Sequence, residues 1–348
     1  MVNIILTFLI LVLVIGGVSY STLSRHMIAH TVEQVTKKVS HVNSPTPTVS
    51  SPLAIANMRH KSYPGSDIAI EQTLSPGENY KRYLVSYRSD GLKIYSLLTV
   101  PTGTKPKDGW PVIMFNHGYI PPASYSTASS YAVMIDPLAA AGYIVMAPDY
   151  RGNNNSQGIP TQPYITPDYV TDSMNALASV KKYKDANPEK IGVFGHSMGG
   201  NITLHELVMT HDIKAAELMA GTVGSESALL QWWNHRISAH SIIGNDLDTS
   251  KVVQQMVKDN GTPTTNPTYW NAIDPTQSIS FITAPVQLQV GSADVEVPLD
   301  FSITLKNSLQ SAGKLVDYHE YSGADHNLSP DTATAMSMSI AFFNKYLK

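Results

Sequence analysis

The chain has 348 residues, 43% of them hydrophobic, so it can bury a core large enough for one α/β domain or two small ones. Its formal net charge of -3 and the absence of a basic run give no basis for binding nucleic acid. It contains no cysteine, which excludes disulfides, thiolate zinc sites and a cysteine nucleophile.

The N-terminal segment is the most apolar part of the chain. Residues 4–18 are apolar almost without interruption, which predicts a signal peptide or a membrane anchor within residues 1–23. No Lys or Arg precedes the run, and Ser19-Tyr20-Ser21 is only a weak cleavage site, which slightly favours an uncleaved anchor. We therefore expect an extracytoplasmic protein, either membrane-anchored or secreted.

The next segment, residues 24–60, is polar, and its stretch at residues 43–52 is rich in Ser, Thr and Pro. Such a composition cannot bury enough apolar surface to fold, so it predicts a linker. The folded domain is then expected to cover residues 61–348, with its first strand near Tyr80.

Strands and helices alternate from Tyr80 onwards. A hairpin is predicted from strands at residues 80–88 and 92–101, because Gly91 in the turn can take a positive φ. Further strands are predicted at residues 111–115, 143–147, 190–194, 213–219, 285–290 and 314–321, and helices at 128–141, 167–184, 201–211, 299–311 and 330–346. This alternation is typical of an α/β fold with a mostly parallel, doubly wound sheet.

One segment interrupts this alternation. Residues from about 222 to 282 are helical in pattern and include several tryptophans. Open α/β sheets bind ligands at the carboxyl ends of their strands, so we expect this insertion to form a cap over that edge. Internal packing is the more frequent role of such tryptophans, and none is assigned to the site.

The motif Gly195-His196-Ser197-Met198-Gly199 matches G-x-S-x-G between a predicted buried strand and a predicted helix. Its two outer glycines allow strand and helix to approach more closely than a Cβ would permit, which lifts the serine to the end of the sheet. Ser197 is therefore the candidate nucleophile.

A serine nucleophile needs a histidine base, and the base needs a carboxylate that fixes its tautomer. On this kind of sheet the acid and the base follow the serine in that order, each just after a strand. Asp294 follows the strand at 285–290, and His326 follows the strand at 314–321, so these two residues are the candidates. Glu296 and Asp300 are alternative acids, although they lie further from the strand end.

The reaction also requires N–H donors for the oxyanion of the tetrahedral intermediate. The N–H of Met198, directly after the nucleophile, is the expected first donor. The second is expected from the loop after the strand at 111–115, where Gly118 permits a tight turn, and the N–H of Tyr119 is the candidate.

Together these segments resemble the α/β-hydrolase fold and, more closely, the catalytic domain of the prolyl oligopeptidase family (S9) of serine peptidases and its esterase relatives. The resemblance covers residues 80–348 and is carried by Asn116-His117-Gly118-Tyr119, Pro148-Asp149-Tyr150-Arg151-Gly152, Gly195-His196-Ser197-Met198-Gly199-Gly200, the segment from Gly291 through Asp294 to Val297-Pro298, and Asp325-His326. It implies the same nucleophile, acid, base and oxyanion loop.

The chain also departs from that family. The large peptidases of the family carry a β-propeller before the catalytic domain, and the residues before Tyr80 are too few for one. Many relatives have Gly in place of Tyr119. We therefore expect a serine hydrolase that acts on a small-molecule or short-peptide acyl substrate, without a cofactor, and a carboxylesterase remains an equal alternative to a peptidase.

Other classes of function have less support. His205-Glu206 begins like the zinc motif H-E-x-x-H, but Met209 stands at the second histidine position, and no phosphate-binding glycine motif is present. A binding protein without catalysis would be expected to have lost a member of the triad.

Overall fold

A computed structural model describes residues 49–238 and 246–348, with the side chains of residues 49–235 and 251–348. The predicted signal peptide or anchor at residues 1–23, and the linker as far as residue 48, lie outside the described residues. No helix within the described ranges is long and apolar enough to cross a membrane.

Nine strands in the described part of the chain form one sheet, in the order β1-β2-β3-β5-β4-β6-β7-β8-β9. The pairs β1/β2, β2/β3 and β3/β5 are antiparallel, and the other pairs are parallel. The strands are β1 (Ala69–Leu74), β2 (Tyr80–Ser89), β3 (Leu92–Pro101), β4 (Trp110–Asn116), β5 (Ile144–Pro148), β6 (Ala186–His196), β7 (Ile213–Met219), β8 (Val286–Gly291) and β9 (Val316–Tyr321).

Helices flank this sheet, and all of the described helices except the first follow its strands in the chain. They are α1 (Ile55–His60), α2 (Ala132–Ala140), α3 (Asp168–Val180), α4 (Met198–Met209), α5 (Glu226–Ser238), α6 (Asp246–Asn260), α7 (Pro267–Ile273), a 3₁₀ helix (Pro275–Phe281), α8 (Leu299–Ser311) and α9 (Thr332–Leu347). The elements from α5 to the 3₁₀ helix lie between β7 and β8, where the cap insertion was predicted. The expected mostly parallel α/β sheet is confirmed.

The sheet has a hydrophobic core on each face. Successive residues of β4 contribute to opposite sides: Val112 and Met114 pack in one core, and Ile113 and Phe115 pack in the other. This alternation follows from the two-residue period of a strand. Helices α1, α3, α4 and α8 supply residues to the first core, and helices α2 and α9 to the second. The sheet is therefore doubly wound.

The hairpin between β2 and β3 forms as expected. Ser89 pairs with Leu92, and both central residues have positive φ, 48° for Asp90 and 81° for Gly91. Positive φ at both positions is the requirement of a type I′ turn, which matches the twist of the flanking strands.

The predicted domain boundary at residue 61 differs from the structure. The folded unit begins by Val49, and α1 buries Ile55 and Met58 in the core shared with α4. Strand β1, which precedes the expected first strand in the sequence, pairs with that strand, β2. Residues 53–58 are a short apolar segment within a polar stretch, so the composition of that stretch did not indicate a helix. The segment is long enough for one short helix that packs on the domain.

Candidate active site

Ser197 lies between β6 and α4 in a strained turn. Its φ of 55° and ψ of -122° are unfavourable for a residue with a side chain, so the surrounding contacts must hold this conformation. The N–H of Ser197 donates to the carbonyl of Met219 at 3.1 Å, and its carbonyl accepts from the N–H groups of Gly200 at 2.9 Å and Thr222 at 3.0 Å. The turn is thus fixed by backbone hydrogen bonds to α4, to β7 and to the loop after β7.

The two glycines of the motif are required by backbone contacts. A Cβ on Gly195 would lie 2.5 Å from the carbonyl oxygen of Gly199, and a Cβ on Gly199 would overlap the carbonyl of Asn116 at the end of β4. Backbone atoms cannot move aside as a flexible side chain can. This close approach positions Ser197 at the carboxyl end of the sheet, as the motif predicts.

Asp294 and His326 form a buried pair, although they come from loops after different strands. The Nδ1–H of His326 donates to Oδ2 of Asp294 at 2.8 Å, and the two side chains are only 7% and 4% exposed. The other oxygen, Oδ1, accepts from the N–H groups of Glu296 at 2.8 Å and Val297 at 2.9 Å. Since Nδ1 carries the proton, Nε2 of His326 has a lone pair and can accept one.

The competing carboxylates take other positions. Oε2 of Glu296 lies 3.9 Å from Nε2 of His326, on the side opposite Nδ1, and that side chain is 56% exposed. Oδ1 of Asp325 accepts from the backbone N–H groups of Asn327 and Ser329, both at 2.9 Å, so it shapes its own loop. Asp294 is the carboxylate that the structure places on Nδ1 of His326.

A cavity of about 490 Å³ gathers the candidate residues. Ser197, His326, Met198 and Tyr119 all line it. Met198 is the first residue of α4, where backbone N–H groups have no partner within the helix and carry the positive end of its dipole. Asp294 is behind His326 and does not line the cavity. The five predicted site residues therefore converge on one place.

Aromatic side chains that were not assigned to the site from the sequence form much of the cavity wall. Trp232 and Trp233, on cap helix α5, line it together with Tyr131 and Tyr164. The ring of Trp233 packs edge-on against that of Tyr164, with 6.0 Å between centroids. Their position in the predicted cap insertion was the available signal, but a core-packing pattern looks the same in sequence.

His196 is next to Ser197 and also lines the cavity. Its ring centroid lies 5.0 Å from that of His326. Burial, with a contribution from the charge of His326, lowers the pKa of His196 to about 3. It is therefore neutral at physiological pH.

The fold, the strained serine and the buried Asp294–His326 pair are those of a hydrolase of the α/β-hydrolase class. Residues 110–333 match the serine aminopeptidase family S33, which is more than half of the chain. The chain belongs to this family.

One curated relative is similar over most of its length. The uncharacterized peptidase YtmA of Bacillus subtilis (strain 168) is 25% identical over 256 residues, which is 74% of this chain and 90% of the relative.

Solved structures with the same fold include esterases and peptidases. The acetyl xylan esterase of Paenibacillus sp. R4 superposes with a TM-score of 0.61 at 18% identity, over 84% of this chain and 92% of the esterase. The puromycin-hydrolyzing peptidase of Mycobacterium tuberculosis gives a TM-score of 0.61 at 19% identity, over 78% of this chain. The match covers only 40% of that peptidase, and 43% of the acylaminoacyl peptidase of Pyrococcus horikoshii, which superposes with a TM-score of 0.61 at 21% identity.

Proposed function

We propose that the protein hydrolyses small acyl substrates, esters or short peptides, through an acyl-enzyme on Ser197. Nε2 of His326 takes the proton of the Ser197 hydroxyl as its oxygen attacks the substrate carbonyl, and Asp294 stabilises the imidazolium that forms. The N–H groups of Met198 and Tyr119 stabilise the oxyanion. His326 then protonates the leaving group, and an activated water molecule releases the acyl group from the serine.

The observation that carries this proposal is the convergence of the site. The Nδ1–H of His326 donates to Asp294 at 2.8 Å, and His326 lines the same cavity as Ser197. A base held in this tautomer is what a serine needs in order to become a nucleophile. The cavity volume of about 490 Å³ suits a small molecule or a few amino-acid residues, and the cap tryptophans limit its size.

Two candidate substrate classes remain within this chemistry. The S33 family and the peptidase name of the Bacillus relative support a peptidase, for which a prolyl-oligopeptidase-like specificity is our first candidate. The nearly complete match to an acetyl xylan esterase, against partial matches to much longer peptidases, supports a carboxylesterase. The same catalytic groups serve both substrates, so the acyl and leaving-group contacts decide between them.

The test uses the full chain on matched panels of p-nitrophenyl esters and aminoacyl or prolyl nitroanilides, with Ser197→Ala as control. We expect turnover by the wild type and a loss of at least about 10⁴-fold in the variant, because the alanine lacks the oxygen that forms the acyl-enzyme. Equal activity of the two proteins would refute the assignment of Ser197. Cleavage of esters alone would select the carboxylesterase, and comparable kcat/KM on nitroanilides would select the peptidase.

We also propose that residues 4–18 attach the protein to a membrane, on its extracytoplasmic side. Support comes from the apolar sequence of that run. The test compares the membrane fraction of the full chain with that of a chain lacking residues 1–23. Equal soluble fractions for both would refute attachment.

A further inference from the structure

Gly118, in the loop after β4, has both of its backbone polar groups held by side chains. Its N–H donates to the hydroxyl oxygen of Tyr131 at 2.9 Å, and its carbonyl lies 2.7 Å from Nδ1 of His117. Burial lowers the pKa of His117 to about 4, so the ring is neutral and carries one N–H. Both ring nitrogens face carbonyls, which can only accept, and we place the proton on Nδ1 because its contact is the shorter of the two. Nε2, which lies 3.4 Å from the carbonyl oxygen of Asp149, then carries no proton.

The bond from His117 determines the direction of the neighbouring N–H. The carbonyl of Gly118 and the N–H of Tyr119 belong to one planar trans peptide and point in opposite directions. Holding the carbonyl on His117 therefore fixes where the N–H of Tyr119 points. The N–H of Gly118 is bound to Tyr131, so it does not compete as an oxyanion donor.

The hydroxyl of Tyr131 also reaches the catalytic base through His196. Nε2 of His196 lies 3.3 Å from the carbonyl oxygen of His326, so Nε2 must carry the proton of this neutral ring. Its Nδ1 is then an acceptor, and it lies 3.3 Å from the hydroxyl of Tyr131, which donates to it. The result is a chain of hydrogen bonds with one direction, from the N–H of Gly118 to the backbone of His326.

Steric contacts make this arrangement tight. A Cβ on Gly118 would lie 2.5 Å from the hydroxyl oxygen of Tyr131 and 2.9 Å from Cβ of Ser197. Tyr131 itself has a φ of 60°, which a residue with a side chain adopts only when its surroundings impose it. The loop, the hydroxyl and the nucleophile therefore have little freedom to move relative to one another.

We propose that Tyr131 and His117 are positioning residues of the oxyanion hole, which aim the N–H of Tyr119 at the reacting carbonyl, and that His196 links this loop to the catalytic base. Neither side chain needs to touch the substrate for this role. The inference rests on the proposed function, because an oxyanion forms only if Ser197 attacks a carbonyl.

The test compares Tyr131→Phe with Tyr125→Phe as a matched control. Tyr125 is a buried tyrosine that stacks on His117 at 4.3 Å between ring centroids. The N–H of Gly118 donates to the hydroxyl of Tyr131 and not to that of Tyr125. The readouts are kcat and KM on a p-nitrophenyl ester, the melting temperature, and inhibition by a boronic acid. Boron binds the serine oxygen as a fourth ligand, and this tetrahedral adduct resembles the transition state.

For Tyr131→Phe we expect kcat to fall about 10- to 100-fold with KM within about twofold, since a misdirected donor costs somewhat less than a deleted one. The inhibition constant of the boronic acid should rise by the same factor. Tyr125→Phe should lower the melting temperature and keep kcat within about twofold. An unchanged kcat in Tyr131→Phe, or a loss of kcat with unchanged boronic acid inhibition, would overturn the proposal.

A second pair of variants keeps the test decisive if Tyr131→Phe does not fold. His117→Asn keeps an N–H donor near the position of Nδ1, and His117→Leu keeps volume but has no donor. We expect the Leu variant to lose about 10- to 100-fold in kcat, and the Asn variant to retain most of it. Equal activities of the two would overturn the role of His117. If the wild type and Ser197→Ala are equally inactive, the proposed function itself has failed, which is a separate result.

Discussion

Replacement of Asp294 by Asn tests whether Asp294 is the carboxylate that orients His326, because the structure predicts that this change switches the tautomer of His326. Oδ1 of Asp294 accepts two backbone N–H groups, from Glu296 and Val297, and only an oxygen can remain there. The Asn side chain must therefore turn its NH₂ group towards Nδ1 of His326. Two donors cannot share a hydrogen bond, so the imidazole proton moves to Nε2, and His326 can no longer accept the proton of Ser197.

The expected loss follows from this tautomer change. A serine protease with Asn in place of the triad Asp loses about 10⁴ in kcat, which corresponds to about 5 kcal/mol of transition-state stabilisation. We expect a loss of 10³- to 10⁴-fold in Asp294→Asn, with KM and melting temperature near those of the wild type because shape and volume are kept. The assay is steady-state hydrolysis of a p-nitrophenyl ester at pH 7 to 8.

Glu296→Gln is the matched control, since it makes the same change from acid to amide two residues further along the same loop. Glu296 is largely exposed and lies 3.9 Å from Nε2 of His326, so we expect a loss within about tenfold. If Asp294→Asn retained more than a tenth of wild-type activity, or if Glu296→Gln lost more than it did, Asp294 would not be the acid.

Two further predictions concern stability and specificity. Burial raises the pKa of Glu206 to about 7 from its ordinary value of 4.5. Between these two pH values the folded protein retains a proton that the unfolded chain releases. The free energy of unfolding should therefore fall by about 3 kcal/mol as the pH rises through this range. Glu206→Gln should flatten that fall in urea unfolding between pH 5 and 8, and parallel curves would contradict it. Trp232→Ala should raise the octanoyl-to-acetyl ratio of ester kcat/KM about tenfold, since it removes a cavity wall. In contrast, Trp270→Ala, in the cap but outside that cavity, should lower only the melting temperature, and equal ratios in both variants would refute the assignment of Trp232.

The sequence predicted elements best where burial and periodicity agree. Strand β7 and helix α8 have the predicted bounds. Six of the seven residues of the strand are buried and most of them are apolar, and the helix has an apolar stripe. Strand β1 was not predicted, since residues 69–74 are almost all exposed and show no apolar alternation. Helix α2 was predicted from residue 128 but begins at Ala132, because Tyr131 takes a left-handed conformation that the contact with Gly118 helps to hold.

The candidate site was predictable to the extent that it depends on strand ends. Ser197, Asp294 and His326 each follow a parallel strand, so their order in the sequence places them at one edge of the sheet. The side chains that shape the cavity follow no such rule. Tyr131 and Trp232 reach it from the ends of loops and from the cap, and only tertiary contacts bring them there.

The two proposed oxyanion donors belong to different elements, and their separation depends on polar contacts beneath the site. Asn116, at the end of β4, donates from Nδ2 to Thr203 at 2.9 Å and to Glu206 at 2.7 Å, both on α4, and its Oδ1 accepts from Ser173 on α3 at 2.7 Å. The side chains of Asn116, Thr203, Glu206 and Ser173 are all buried. Breaking any one of these bonds would therefore leave a buried polar group with neither a protein partner nor water to bond. The loop that carries Tyr119 and the helix that begins at Met198 are therefore held at one distance by the buried side chain of Asn116. A charged carboxylate at Glu206 would strengthen the bond to Asn116 but cost the energy of a buried charge, and the raised pKa shows that burial dominates.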